Sequence, residues 1–189
     1  MSEIVFLLEE QSTAVLLEGF LPKLHSGEVT HRFIVFEGKQ DLEKQMVRRI
    51  RGYRVRNAKF VVLRDQDAGD CKMVKRQLVK KCAEAGQSGA LVRVACHELE
   101  SWYLADLRAV ENALNLRNLA RHQNKRQYRS PDSYHNPLQT LRRIAPGYQK
   151  VGGSRSIGPH LDPACTRSRS FSAFVSGIRR LLETIPSTT

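Results

Sequence analysis

Thiolate chemistry, membrane insertion and nucleotide cradling are all poorly served by this chain. It holds four cysteines in 189 residues (Cys71, Cys82, Cys96 and Cys165), and no two stand at the two-residue spacing of a zinc ribbon. Cys71, Cys82 and Cys96 fall in or beside apolar patterns, where free thiols act as small hydrophobes. The six histidines are scattered, without a His-x3-His pair. No stretch approaches the roughly 18 consecutive apolar residues of a membrane span. Met1-Ser2-Glu3 lacks the basic lead and small-residue cleavage site of a signal peptide, so a cytoplasmic protein is expected. Gly152-Gly153-Ser154-Arg155 lacks the strand-then-helix context and spacing of a nucleotide-binding glycine loop. ATP binding within the chain is therefore disfavoured.

Acids are also scarce, and their distribution is uneven. Lys and Arg number 31 against 19 Asp and Glu, a formal charge of +12. Between Arg117 and Arg180 stand 13 Lys and Arg but only two acids, Asp132 and Asp162, a balance of +11. Nearly the whole excess therefore lies in the C-terminal third. A basic segment of this kind suits a polyanion, because neutralised phosphates release counterions whatever the base sequence. The bland alternative is a solvated basic face.

An apolar content of 41% with 7% aromatics is enough for an ordinary core, and the length suits one domain with a small appendage. Apolar runs at Ile4–Leu8, Phe33–Phe36, Phe60–Leu63 and Leu91–Ala95 read as buried parallel strands. Helical patterns alternate with them. Ser12 or Thr13 caps the first, carrying Leu16, Leu17, Phe20, Leu21 and Leu24, with Pro22 weakening its last turn. Asp41 opens the second, with Leu42, Met46 and Ile50 on one face. Asp70 caps the third, which carries Val74, Leu78 and Cys82 and ends at Ala85-Gly86. A fourth runs from Ser101 to Leu116. This order predicts a doubly wound, mostly parallel α/β sheet with right-handed crossovers. Residues 1–116 form the α/β domain in this reading. Residues 117–189 form a basic helical and loop extension over it. That extension has breakers at Pro131 and Asn136-Pro137, a short helix Pro137–Ile144, a Gly-, Ser- and Arg-rich loop from Gly147 to Ser170, and a final helix from about Ser172 to Thr184.

The run Val61-Val62-Leu63-Arg64-Asp65-Gln66-Asp67 carries the most chemistry. Alternate residues of a strand share a face, so Asp65 and Asp67 can aim at one point past the strand end. In open α/β sheets that carboxyl edge is where ligands bind. Two carboxylates directed there repel one another unless a cation intervenes, and all-oxygen ligands suit Mg2+ or Mn2+. Alone, an Asp-x-Asp is as readily turn chemistry. Yet Glu9 and Glu10 follow the first strand, and Glu98 and Glu100 follow the fourth. Three of four strands end in acids on one edge.

These segments resemble the Toprim-like family of topoisomerases, primases and OLD-type nucleases. Leu8-Glu9-Glu10-Gln11-Ser12, Leu63-Arg64-Asp65-Gln66-Asp67 and Glu98-Leu99-Glu100-Ser101-Trp102-Tyr103-Leu104-Ala105-Asp106 look most like small bacterial Toprim-like proteins related to RloB and to phage-defence effectors. The resemblance covers Ile4 to Asp106, with a weaker echo from Lys150 to Phe174. It implies a Mg2+- or Mn2+-dependent nuclease cleaving DNA or RNA, working beside a separate AAA or ABC-type ATPase. Glu9 then matches the acid after the first strand, a metal ligand or general acid/base. Asp65 and Asp67 match the metal-binding Asp-x-Asp, and Glu100 the later acid, with Glu98 as its competitor. Glu10 departs from the pattern, since a glycine normally follows the first acid. The alternative is a catalytically weak scaffold that binds nucleic acid or regulates a partner.

Residues outside the acids have two readings each. Lys150, Arg155 and His160 suit a scissile phosphate, or a merely solvated loop. Arg64 suits a charge partner for Asp65. Trp102 and Leu104 suit the core better than a base-stacking surface, which requires exposure. A phospho-receiver reading also places acids after strands one and three, but leaves the second Asp without a role.

Overall fold

The computed structural model describes residues 2–25 and 29–185. Four strands, β1 (Ser2–Leu8), β2 (Val29–Val35), β3 (Lys59–Asp65) and β4 (Leu91–Ala95), pair wholly in parallel in the order β2-β1-β3-β4. Ile4 lies beside Lys59 and Leu8 beside Leu63, while Asp65 pairs with Ala95. The α/β class and its parallel sheet are as expected from the four apolar runs.

Both faces of the sheet are covered, and for that reason the strands read as unbroken apolar runs rather than alternating ones. Val5, Leu7, Val62 and Val94 pack against α2 (Lys39–Arg51) and α3 (Cys71–Glu84) through Leu42, Met46, Ile50, Val74, Leu78 and Cys82. Ile4, Phe6, Leu8, Val61 and Leu63 point the other way, toward α1 (Gln11–Phe20) and the helices of the second half. The chain thus leaves β1 on one face and β3 on the opposite face. Between these neighbouring strands lies the switch point at which open sheets form a crevice.

Most expected helices form, and their departures have local causes. Asp70 caps α3 by accepting the Met73 N–H at 2.8 Å, and Gly86 follows at φ +80°, the left-handed stop that glycine permits. The first helix begins two residues early: Glu10 leads it, and Ser12 and Thr13 lie buried inside its first turn. The expected helix Ser101–Leu116 is broken into α4 (Glu100–Ala105) and α5 (Leu107–Ala113). Asp106 leaves helical geometry (φ −134°, ψ 75°) and caps the second piece through the Ala109 N–H.

The second half is more ordered than its composition suggested. Beyond α6 (Pro137–Ile144), the glycine-rich stretch expected as a loop forms α7 (Lys150–Ile157), and α8 (Arg169–Glu183) starts early, capped by Ser168. Glycine weakens a helix by about 1 kcal/mol relative to alanine, so tertiary contact has to supply the compensation. A Cβ on Gly153 would stand 2.3 Å from the Tyr148 ring, and one on Gly158 would stand 2.4 Å from the Leu16 carbonyl oxygen. Their missing side chains let α7 close on Tyr148 and its far end seat against α1. Trp102 is buried, its indole N–H donating to Ser170 Oγ at 2.8 Å, which leaves no face for base stacking.

Candidate active site

Each acid is placed by the end of a strand. Glu9 stands at the exit of β1, buried to 7% exposure, and its Oε2 accepts the Asp65 N–H at 3.2 Å. Asp65 ends β3 on the neighbouring strand. Its residue surface is half-buried, yet its carboxyl group is buried and feels the charges of Glu100, Glu9 and Glu10. Glu100 opens α4 with no exposed surface. Tyr148 donates its hydroxyl to Glu100 Oε1 at 3.0 Å, while Oε2 is buried without a hydrogen-bond partner.

This crowding alters proton affinity. Burial, then the charges of Glu100 and Glu9, raise Asp65 well above the ordinary carboxylate range. Glu9 is raised by burial and Asp67, against the lowering pull of Arg64 and the Asp65 N–H. Burial also raises Glu100, opposed by Lys150 and the Tyr148 hydroxyl. These are carboxylates that gain from a proton or a cation close by.

A cation is present in the chain itself. Lys150, the first residue of α7, reaches back to Glu10 with 2.8 and 3.1 Å contacts to its two oxygens. Burial pulls Lys150 down, but Glu10, Glu100 and Asp65 outweigh it and hold the ammonium above its ordinary value. Ser12 Oγ donates to the same Glu10 carboxylate at 3.2 Å. Glu10 is thereby the tether of Lys150.

Asp67 is handled differently. The strand stops at Asp65, and Asp67 adopts φ +56° in the following turn, so strand alternation does not set its direction. Its Oδ2 meets Lys39 Nζ at 2.8 Å and Arg64 Nη2 at 3.7 Å. Arg64, 5% exposed, also lies 3.7 Å from Glu9 and pairs with Glu43. It donates Nε–H to the Asp65 carbonyl rather than to its carboxylate. Arg64 therefore joins Glu9, Asp67 and Glu43 and fixes the acid row from below.

The remaining sequence candidates separate. Glu98 accepts the Leu138 N–H at 2.8 Å, serving the start of α6, while the charge of Glu100 acts on Asp65. Arg155 lies on the outside of α7, 3.7 Å from Glu18. His160 lies past the far end of α7. The Tyr148–Ser154–Tyr103 hydroxyl cluster behind Glu100 has contacts of 2.8 and 3.3 Å. It gave no sequence signal, since Tyr103 on α4 and Tyr148 in the turn before α7 come together only through tertiary contact with Ser154 on α7.

The donor set suits a hard cation. Glu9, Asp65 and Glu100 offer only oxygens, and the orphan Oε2 of Glu100 lacks the partner that a buried oxygen requires. Among the described residues, no three His, Cys, Asp or Glu side chains already converge as a ready-made metal cage. The fit therefore lies in donor chemistry and charge rather than in preset geometry. No helix among the described residues is long and apolar enough to cross a membrane.

Comparison with known proteins adds a family and a distant likeness. No curated protein matches the chain. Among solved structures, the chain is similar to the C-terminal region of the Burkholderia pseudomallei OLD protein, with 14% identity, a TM-score of 0.49, and coverage of 95% of this chain and 98% of that one. A likeness that distant transfers no activity and no residue role. The family model of DUF4276, a domain of unknown function, matches residues 8–179, and the chain belongs to that family.

Proposed function

We propose that this chain is a metal-dependent nuclease cleaving DNA or RNA phosphodiesters on a Toprim-like scaffold. The observation that supports this reading most is that Glu9, Asp65 and the fully buried Glu100 lie near enough at the switch point for their charges to raise Asp65, with Lys150 beside them. Glu9, Asp65 and Glu100 would hold Mg2+ or Mn2+, with Asp67 tethered by Lys39 at the rim. Such an ion supplies Lewis-acid polarisation and a water of lowered pKa. Tyr148 fixes the rotamer of Glu100 through one oxygen and leaves the other free to act. Lys150, once released from Glu10, would neutralise charge growing on the phosphoryl oxygens. The basic C-terminal third would hold the backbone without reading bases. Service as a bacterial defence effector beside an AAA or ABC-type ATPase rests on family resemblance alone.

A second reading is favoured by one contact. Lys150 already occupies the acid cluster through Glu10, as suits a catalytically weak scaffold that binds nucleic acid or regulates a partner. Incubation of the purified chain with labelled DNA and RNA, in Mg2+, Mn2+ or EDTA, separates the two. The nuclease reading expects metal-dependent cleavage that Asp65→Asn abolishes. Wild-type-level cleavage by both Asp65→Asn and Asp67→Asn would sink it. Binding without cleavage in any metal supports the scaffold.

A further inference from the structure

The acid cluster lies at one end of α7, and an arginine-lined cleft lies at the other. Past Ile157 the chain continues as a short turn, Gly158–His160, seated against α1 by Gly158 and tied to the turn after α1 by Lys23, which donates to the Pro159 and Leu161 carbonyls. His160 is ten residues beyond Lys150, a separation of roughly 15 Å at helical rise. There it rims a cleft of about 610 Å3, with Arg108, Arg121 and Arg167 around it and Asn112 and Asn124 at its edge. Such a volume falls within the range of small-ligand sites.

The charges in this cleft are unbalanced in a specific way. Two acids, Asp106 and Asp162, border it, but both serve the backbone. Asp106 accepts the Ala109 N–H through Oδ1 and the Asp162 N–H through Oδ2, and Asp162 Oδ1 accepts the Ala164 N–H. Among the described residues, none of the three arginines has an ion-pair partner. Three exposed guanidiniums from separate segments therefore converge on one concavity, each with its planar fork unclaimed by a carboxylate. That arrangement matches phosphate geometry, which such forks bind bidentately. Amide side chains at the rim add donors that need no charge.

We propose that this arginine cleft is a second phosphate-binding site, gripping the backbone of a nucleic-acid strand about four or five phosphates of B-form rise away from the acid cluster. The identity of the strand as substrate rests on the nuclease reading; the cleft itself does not. It gives His160 a place in backbone holding, away from the reacting phosphate, and it gives the C-terminal charge excess a located contact.

The test is equilibrium binding of a fluorescein-labelled 20-mer, DNA and RNA, by anisotropy in EDTA across a KCl series. Removing three phosphate contacts with Arg108→Gln/Arg121→Gln/Arg167→Gln should lower the slope of log K against log salt by about 2 for a single strand. A control that removes three exposed charges from α3 on the opposite face, Lys72→Gln/Lys75→Gln/Arg76→Gln, should leave the slope unchanged. Equal losses in both variants, or none in the arginine variant, overturn the cleft. Because EDTA binding needs no acid cluster, the two proposals fail separately. A protein that binds through the arginines yet never cleaves retains the cleft and loses the nuclease. One that cleaves with an unchanged slope does the reverse.

Discussion

The sharpest perturbation of the acid cluster is Asp65→Asn, which keeps the side-chain shape and removes one charge. Asp65 is raised above its ordinary value by burial and by Glu100 and Glu9, and only Lys150 among its main neighbours opposes them. In the window between the unfolded carboxylate value, about 3.9, and the raised folded value, the native state binds more protons than the unfolded state. Stability of the wild type therefore falls as pH rises through that window, at up to about 1.4 kcal/mol per pH unit for each such group, and levels off above it. The amide of the variant has no proton to lose. The variant should match the wild type near pH 4 and exceed it increasingly toward neutral and alkaline pH. Each tenfold step in proton affinity removed corresponds to about 1.4 kcal/mol, or a Tm difference of about 3–6 °C for a chain of this size. Thermal unfolding in EDTA at pH 4.5, 6.0, 7.5 and 9.0 measures this directly. Addition of Mg2+ at pH 7.5 should then narrow the gap by raising the wild type alone; saturation at a hundredfold the Kd would add about 2.7 kcal/mol. A pH-independent difference, or a variant that is less stable at alkaline pH, would refute the account of Asp65 as a buried, repelled charge.

Two further perturbations test the frame around the cluster. Gly158→Ala sets a Cβ 2.4 Å from the Leu16 carbonyl oxygen, whereas Gly152→Ala meets nothing within 4 Å; in urea unfolding the first should cost about 1–3 kcal/mol and the second should add about 0.5–1 kcal/mol. Arg64→Leu strips a 5%-exposed guanidinium from Glu9, Glu43 and Asp67. Breaking a buried charge network costs about 3–5 kcal/mol, and the partial exposure of Glu43 and Asp67 places the expectation at the low end. A loss below about 1 kcal/mol would show that water replaces Arg64 cheaply, against the central role of that residue in holding the row.

The parts of this fold that were legible from sequence are those set by local physics. A strand buried on both faces must be apolar throughout, so Ile4–Leu8 and Phe60–Leu63 announce themselves. Asp70 marks a helix start because its carboxylate satisfies a free N–H, which needs no knowledge of the rest of the chain. The acids at three strand ends were legible for the same reason, since parallel pairing alone brings Glu9 and Asp65 to one edge. The illegible parts depend on tertiary contact. Composition assigns Lys150–Ile157 to a loop because its glycines look like breakers, yet Gly153 and Gly158 are where Tyr148 and Leu16 approach too closely for a Cβ. Asp106 interrupts an amphipathic run because both its oxygens are claimed, by Ala109 and by Asp162 far along the chain. The direction of Asp67 escaped strand alternation because the strand ends two residues before it.

The same distinction bears on the site's resting charge. Glu9, Glu10, Asp65 and Glu100 crowd one crevice, and three agents can relieve them: protons, the ammonium of Lys150, or a divalent ion. All three act on the same carboxylates, so by linkage each weakens the others. Lys150 is held by Glu10 through contacts of 2.8 and 3.1 Å, to a carboxylate that also accepts the Ser12 hydroxyl. Glu10 thus engages Lys150 directly, while Oε2 of the buried Glu100 has no hydrogen-bond partner. Glu10→Gln should weaken the Lys150 contact and thereby change the gain from an added divalent ion, which Mg2+-dependent thermal unfolding of the variant against the wild type measures. Glu10 therefore anchors an ammonium whose charge also acts on Glu100 and Asp65, so that their compensation by Lys150 depends on the Glu10 contact.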